Sequence, residues 1–120
     1  MSNYSTHPTL VEYAIRSLFK GQSPRKAAST TAQKHHGSTN LFMGGTDLIE
    51  INVFELEEAI WKRLVDTTLV AISHIKPGKE HFALDGILQR YNQKPSLRKK
   101  LKIKVIDTIG SNPFTSDDKD

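Results

Sequence analysis

The amino-acid sequence predicts an all-α protein, a compact bundle of four to five helices with disordered termini. Apolar residues recur at intervals of three and four in several segments, as they do on the buried face of a helix. Proline or glycine stands near the ends of these segments, where helices commonly begin or stop. A chain of 120 residues is the size of one domain. We therefore predict one helical domain over residues 9–110, between a disordered lead-in at 1–8 and a disordered tail at 111–120.

The first predicted helix begins at Thr9, which can cap it, with Glu12 three residues later to complete a capping box. Gly21 is placed to end it, because glycine readily takes the left-handed conformation found after helices. Between them lies a broad apolar stripe, formed by Leu10, Val11, Ala14, Ile15, Leu18 and Phe19.

The second predicted helix starts at Ser23 and Pro24, runs to about His36 and stops at Gly37. Its middle, residues 27–32, consists of small side chains that have little to bury, so the helix needs a closely packed neighbour.

The first two helices and their turn follow a helix-turn-helix-like rhythm in the N-terminal half. A recognition helix would then lie near residues 38–43, where Ser38, Thr39 and Asn40 could reach base edges. The connection from Lys34 to Gly37 is long for this motif, and Gly44 and Gly45 would cut the third helix short.

The longest predicted helix covers about residues 53–74, after a loop at 37–46 with an apolar plug of Leu41, Phe42 and Met43. Asn52 is a suitable cap, and Glu55 completes a second capping box. The β-branched stretch at 67–72 could instead form a strand.

Two further helices are predicted after the break at Pro77 and Gly78, at about 79–92 and 97–109. Residues 101–105 also alternate as a strand does, but Ser96 and Gly110 favour a helix between them. The predicted core is drawn from three helices and consists of Leu18, Phe19, Phe54, Ile60, Trp61, Leu64, Leu84, Ile87 and Leu88.

The charges are arranged in blocks around a net charge of +4. Residues 13–46 and 86–106 contain arginine and lysine but no acid, whereas residues 47–58 contain acids but no base. Such blocks create local potentials larger than the net charge suggests. They are either solvated faces beside an acidic helix or surfaces that meet a polyanion or an acidic protein.

Metal, cofactor and thiol chemistry is not predicted. The chain has no cysteine, which excludes disulfides and thiolate ligands. His35 and His36 are adjacent, so on a helix they point about 100° apart and cannot share a metal. The turn at residues 44–47 resembles a phosphate-binding turn but lacks the lysine of the nucleotide-binding loop, and we interpret it as a hinge.

Catalysis is not predicted either. Glu55, Glu57 and Glu58 form the densest group of carboxylates, and their place at a helix start is explained by the helix dipole. No GxSxG turn and no nucleophile with an oriented base is recognisable. We expect a protein that is not an enzyme.

The sequence predicts a cytoplasmic protein without a membrane segment. No run approaches about 18 consecutive apolar residues. The first residues, MSNYSTHPTLVEY, lack the basic start and apolar stretch of a secretory signal.

The functional hypothesis is a small basic DNA-binding regulatory or accessory protein, such as a transcription regulator, that forms a homodimer on duplex DNA. The residues predicted to bind nucleic acid are Arg25, Lys26, Ser38, Thr39, Asn40, Arg98, Lys99, Lys100, Lys102 and Lys104. The alternative is a non-enzymatic helical adaptor or chaperone that completes its core with an acidic or apolar protein surface.

Overall fold

The computed structural model of the chain describes residues 2–37, 48–76, 78–91 and 95–110. Within these ranges the chain forms five helices and one pair of very short strands, so the predicted all-α class is confirmed. The helices are α1 (Pro8–Leu18), α2 (Pro24–His35), α3 (Val53–Ser73), α4 (Glu80–Arg90) and α5 (Pro95–Ile109), and the strands are β1 (Ser2–Asn3) and β2 (Ile49–Glu50). The predicted apolar plug at 41–43 and the predicted tail at 111–120 lie outside the described residues.

The chain divides into two compact units, Met1–Trp61 and Lys62–Asp120, with the boundary inside α3. The first unit contains α1, α2, the strand pair and the start of α3. The second contains the rest of α3 together with α4 and α5. The single domain over 9–110 stays a prediction.

The core of the first unit lies where α1 packs against α2. Leu10, Ile15 and Leu18 of α1 are buried, as are the small Ala27 and Ala28 of α2. Small side chains let two helix backbones approach closely. Helix α1 is therefore the closely packed neighbour that the small residues of α2 require.

The ends of α2 and the start of α3 follow the capping signals in the sequence. The Ser23 hydroxyl accepts a hydrogen bond from the Lys26 backbone N–H at 3.2 Å. The Asn52 side-chain oxygen accepts hydrogen bonds from the N–H groups of Phe54 and Glu55, at 3.0 and 3.1 Å. After α2, Gly37 has a φ of 81°, a left-handed conformation that favours glycine.

The start of α1 differs from the prediction that Thr9 caps it. His7 is the capping residue, and its Nδ1 accepts the Thr9 backbone N–H at 3.1 Å. Pro8 occupies the first helical position, where the missing N–H of proline costs nothing. The helix therefore begins one residue before Thr9, and the predicted capping box does not form.

The lead-in is held against the start of α3 by a polar cluster that we call the N-terminal clasp, formed by Asn3, Ser5, Asn52 and Glu55. Ser2 and Asn3 pair in parallel with Ile49 and Glu50. The fully buried Ser5 donates its hydroxyl to the Asn3 side-chain oxygen at 2.6 Å and accepts the Asn52 N–H at 2.7 Å. The Asn3 amide also donates to Glu55 at 3.0 Å.

The sequence does not predict this arrangement. From the sequence, residues 1–8 are predicted to be a disordered lead-in. In the structure, residues 2 and 3 pair with β2, and Ser5 accepts a hydrogen bond from the Asn52 backbone N–H.

In the second unit, α4 packs against α5. Leu84, Leu101 and Val105 are fully buried. Residues 101–105 lie within the helix α5, so the strand alternative for this segment is wrong. The alternative strand at 67–72 is wrong as well, because α3 continues to Ser73.

Most of the predicted core is buried, but two phenylalanines are not. Phe54 is 65% exposed and Phe19 is 45% exposed, so placing them in the core was wrong. Phe54 is two residues from the buried Leu56, which puts it about 200° around the helix from the inner face. Phe19 follows the last residue of α1, beyond the end of the buried stripe. Trp61 is half-buried.

No helix in the described ranges combines the length and the apolar character that a membrane crossing requires.

Candidate anion-binding site

A cleft of about 320 Å³ opens between α1 and α2, within the unit Met1–Trp61. Its lining comes from α1, from the turn after it and from the C-terminal half of α2. The lining residues are Tyr13, Arg16, Ser17, Lys20, Thr30, Thr31, Lys34 and His35. Three of these eight residues are cations, and none is an acid, which suits the cleft to an anionic ligand. We call it the α1–α2 cleft.

Helical spacing brings the lining side chains to one side of each helix. Residues three or four apart lie on the same face, and this relates Tyr13 to Arg16 and Ser17 in α1 and Thr30 to Lys34 in α2, whereas Lys20 lies in the turn after α1. The adjoining faces of α1 and α2 are buried against each other. The three cationic residues line the same opening.

The lining of the cleft contains cations and no carboxylate; Glu12 lies outside the lining, four residues before Arg16 on α1. Among the residues that the structure describes, no carboxylate forms an ion pair with Arg16, Lys20 or Lys34. The sequence supplies no acid between residues 13 and 46. Clefts lined by one sign of charge concentrate the electric field and attract counter-ions.

Tyr13 orders one wall of the cleft. Its ring lies 5.4 Å from the Arg16 guanidinium carbon, within the range of a cation–π contact. The same ring stacks with His35 at a centroid distance of 5.4 Å and an angle of 25° between the planes. These contacts restrict two of the lining side chains before any ligand binds, so less conformational entropy is lost on binding.

The surroundings of His35, which lies in the same wall as Tyr13, lower the pKa of its imidazole. Its pKa is lowered from 6.5, first because partial burial disfavours the charged imidazolium and second because Lys34 repels it. The imidazole is therefore neutral at pH 7. Protonating it would add a further positive charge beside Lys34.

This lowered pKa predicts a pH dependence of stability with a definite sign. The unfolded chain binds the His35 proton more tightly than the folded chain, so stability rises with pH. The stabilisation that arises from the lowered pKa of His35 is fully present above pH 6.5. It is lost as the pH falls below that value toward the pKa of His35 in the folded chain. Urea unfolding between pH 7.5 and 5 should show His35→Gln losing less stability than the wild type over this range. Equal pH profiles for the two proteins would contradict the prediction.

The predicted site residues of the first basic block are only partly brought together. Lys26 lies four residues before Thr30 and eight before Lys34, on the same side of α2 as the cleft. Arg25 lies on another side, with its guanidinium 5.6 Å from the Phe54 ring. Ser38, Thr39 and Asn40, together with the proposed recognition helix at 38–43, lie outside the described residues.

The second basic block does not form one cationic surface on α5. Leu97, Leu101 and Val105 occupy the buried side of the helix. At 100° per residue, Arg98 and Lys102 fall on one flank, Lys100 and Lys104 on the other, and Lys99 opposite the buried side. Arg98 is paired with Asp85 of α4, Nε to Oδ1, at 2.9 Å.

Arg16, Lys20 and Lys34 were not among the residues predicted to bind. The spacing of the basic residues would not have found them. At 100° per residue, Arg16 falls about 170° from the centre of the buried stripe of α1, and Lys20 lies beyond the last residue of that helix.

No group of three or more histidine, aspartate and glutamate side chains in the described ranges is arranged to hold a metal ion. Comparison with known protein families, with curated proteins and with solved structures gives no match to this chain.

Proposed function

We propose that the chain is a small DNA-binding accessory or regulatory protein that holds duplex DNA by its phosphates. The observation that carries this proposal is the convergence of Arg16, Lys20 and Lys34 on the α1–α2 cleft without carboxylate partners. Contacts from arginine and lysine to phosphates supply most of the affinity of non-specific DNA binding. Lys26 extends the cationic row along α2 by two turns from Lys34.

The hydroxyl groups of the cleft support the same interpretation. Ser17 and Thr30 line the cleft beside the cations. Hydroxyl groups donate hydrogen bonds to phosphate oxygens, and such contacts fix the position of a protein on the duplex without reading its sequence. We therefore assign the α1–α2 cleft to phosphate binding rather than to base recognition. Dimerisation, the absence of catalysis and the cytoplasmic location stay predictions from the sequence.

A binding titration against duplex DNA tests this proposal. Fluorescence anisotropy with a labelled 20-base-pair duplex, at 50 and 200 mM salt, should show binding that weakens as salt rises. Three phosphate contacts correspond to a slope of about −3 in a plot of log K against log salt concentration. An affinity weaker than about 0.1 mM at low salt, which is the weak end of non-specific DNA binding, would contradict the proposal.

The alternative, a helical adaptor that binds a protein, is favoured by exposed apolar side chains. Phe54 is exposed in the first unit, and Val70 and Phe82 are exposed in the second. Two of these rings are already in contact with cations, Phe54 with Arg25 and Phe82 with Lys79. Strong binding of an apolar dye by the isolated chain, together with no cooperative unfolding transition, would favour the adaptor over DNA binding.

A further inference from the structure

The shape of the α1–α2 cleft bears on which phosphate it binds. A strip of cations along a convex surface follows a nucleic-acid backbone, but here the cations line a partly open cleft of about 320 Å³. Ligand pockets begin at about this size. A terminal phosphate protrudes from the end of its strand and can enter a cleft. A phosphate within a continuous backbone is flanked by sugars on both sides and enters less completely.

The charge and the donors of the cleft favour a phosphate monoester. A phosphodiester within a strand carries one negative charge, whereas a monoester carries about −1.5 to −2 at pH 7 and three strong acceptor oxygens. Arg16, Lys20 and Lys34 together offer more positive charge than one diester can neutralise. The hydroxyls of Ser17 and Thr30 add donors for a third oxygen.

Arg16 is suited to the central contact. Its guanidinium presents a planar fork of N–H groups that matches two phosphate oxygens, and its cation–π contact with Tyr13 limits its movement. Lys20 and Lys34 act as point charges from the turn after α1 and from α2.

We propose that the α1–α2 cleft binds the terminal phosphate monoester of a DNA strand in preference to the phosphodiesters within the strand. The inference rests on the proposed DNA-binding function and assigns a ligand class to the same site. It makes the protein a binder of phosphorylated DNA ends.

The test uses hairpin duplexes with a single open end. One hairpin carries a 5′-phosphate, a second carries a 3′-phosphate, and a third carries hydroxyl groups at both positions. One added charge-assisted contact corresponds to a preference of about tenfold for a phosphorylated end over the hydroxyl end. The two phosphorylated arms show which strand end supplies the monoester.

The outcomes separate this inference from the function on which it rests. A tenfold preference for either phosphorylated hairpin supports both. Equal affinities for all three hairpins would overturn the terminal-phosphate inference and leave the DNA-binding proposal intact. Binding of none of the hairpins at 50 mM salt would overturn the DNA-binding proposal and the inference together.

A pair of matched variants ties the preference to the cleft. Lys34→Gln should lower the ratio of the affinity for the preferred phosphorylated hairpin to that for the hydroxyl hairpin, because Lys34 lines the cleft. Lys62→Gln removes the same charge from an exposed position outside the lining and should keep the ratio of the wild type. An unchanged ratio in Lys34→Gln would show that the preference arises elsewhere and would overturn the assignment to this cleft.

Discussion

Replacing Arg16, Lys20 and Lys34 together with glutamine is expected to remove most of the salt-dependent affinity for duplex DNA. Each lost phosphate contact lowers the slope of log K against log salt concentration by about 1, so the triple variant should lose about 3. All three side chains are exposed, and no ion pair within the described residues depends on them. The fold should therefore persist, which far-ultraviolet circular dichroism would verify. Anisotropy titrations over four salt concentrations measure the slope.

Two further triple variants control for net charge, since each also removes three positive charges from exposed positions. The first replaces lysines of α5 with glutamine, at Lys99, Lys100 and Lys104. The second replaces lysines that belong to neither basic block, at Lys62, Lys76 and Lys79. We expect both to keep most of the slope. A larger loss in the α5 variant than in the cleft variant would move the DNA contact to the second basic block.

Local signals in the sequence were sufficient to predict the helices. Ser23 with Pro24, Asn52, and the glycines at 37 and 110 specify helix ends by local hydrogen bonding and backbone conformation, which depend only on neighbouring residues. The same holds for the choice of a helix over a strand at 101–105. There the apolar residues at 97, 101 and 105 recur at helical spacing, and all three are buried.

Features that join distant parts of the chain were not predictable in this way. The contact between Ser5 and Asn52 spans 47 residues, and nothing near Ser5 in the sequence indicates it. Strands of two residues are too short to show an alternating pattern, so β1 and β2 left no signal either.

The site was predictable in composition but not in geometry. The acid-free block at 13–46 indicated a cationic surface, and Arg16, Lys20 and Lys34 belong to that block. Their convergence depends on how α1 packs against α2, which helical spacing alone does not determine. For α5 the helical spacing alone was sufficient to predict that the basic residues do not form one cationic surface. The basic residues at 98, 99, 100, 102 and 104 must point around the helix, and the pairing of Arg98 with Asp85 reduces the free charge further.

Replacing Ser5 with alanine is expected to lower the free energy of unfolding by about 1–3 kcal/mol, because a buried hydrogen-bonding group then loses its partner. The Ser5 hydroxyl is the centre of the N-terminal clasp, since it donates to Asn3 and accepts from the Asn52 N–H. Its removal leaves that N–H without its acceptor at the start of α3. Urea unfolding at pH 7, followed by circular dichroism, measures the change.

Thr6→Ala is the matched control for this prediction. Thr6 is the next residue, loses its hydroxyl in the same way and is exposed. Exposed substitutions of this kind usually change stability by no more than about 0.5 kcal/mol. If Ser5→Ala is no more destabilising than Thr6→Ala, the clasp does not hold the lead-in against α3. If Ser5→Ala costs stability but binds DNA as the wild type does, the clasp supports the first unit while the phosphate contacts depend only on α1 and α2.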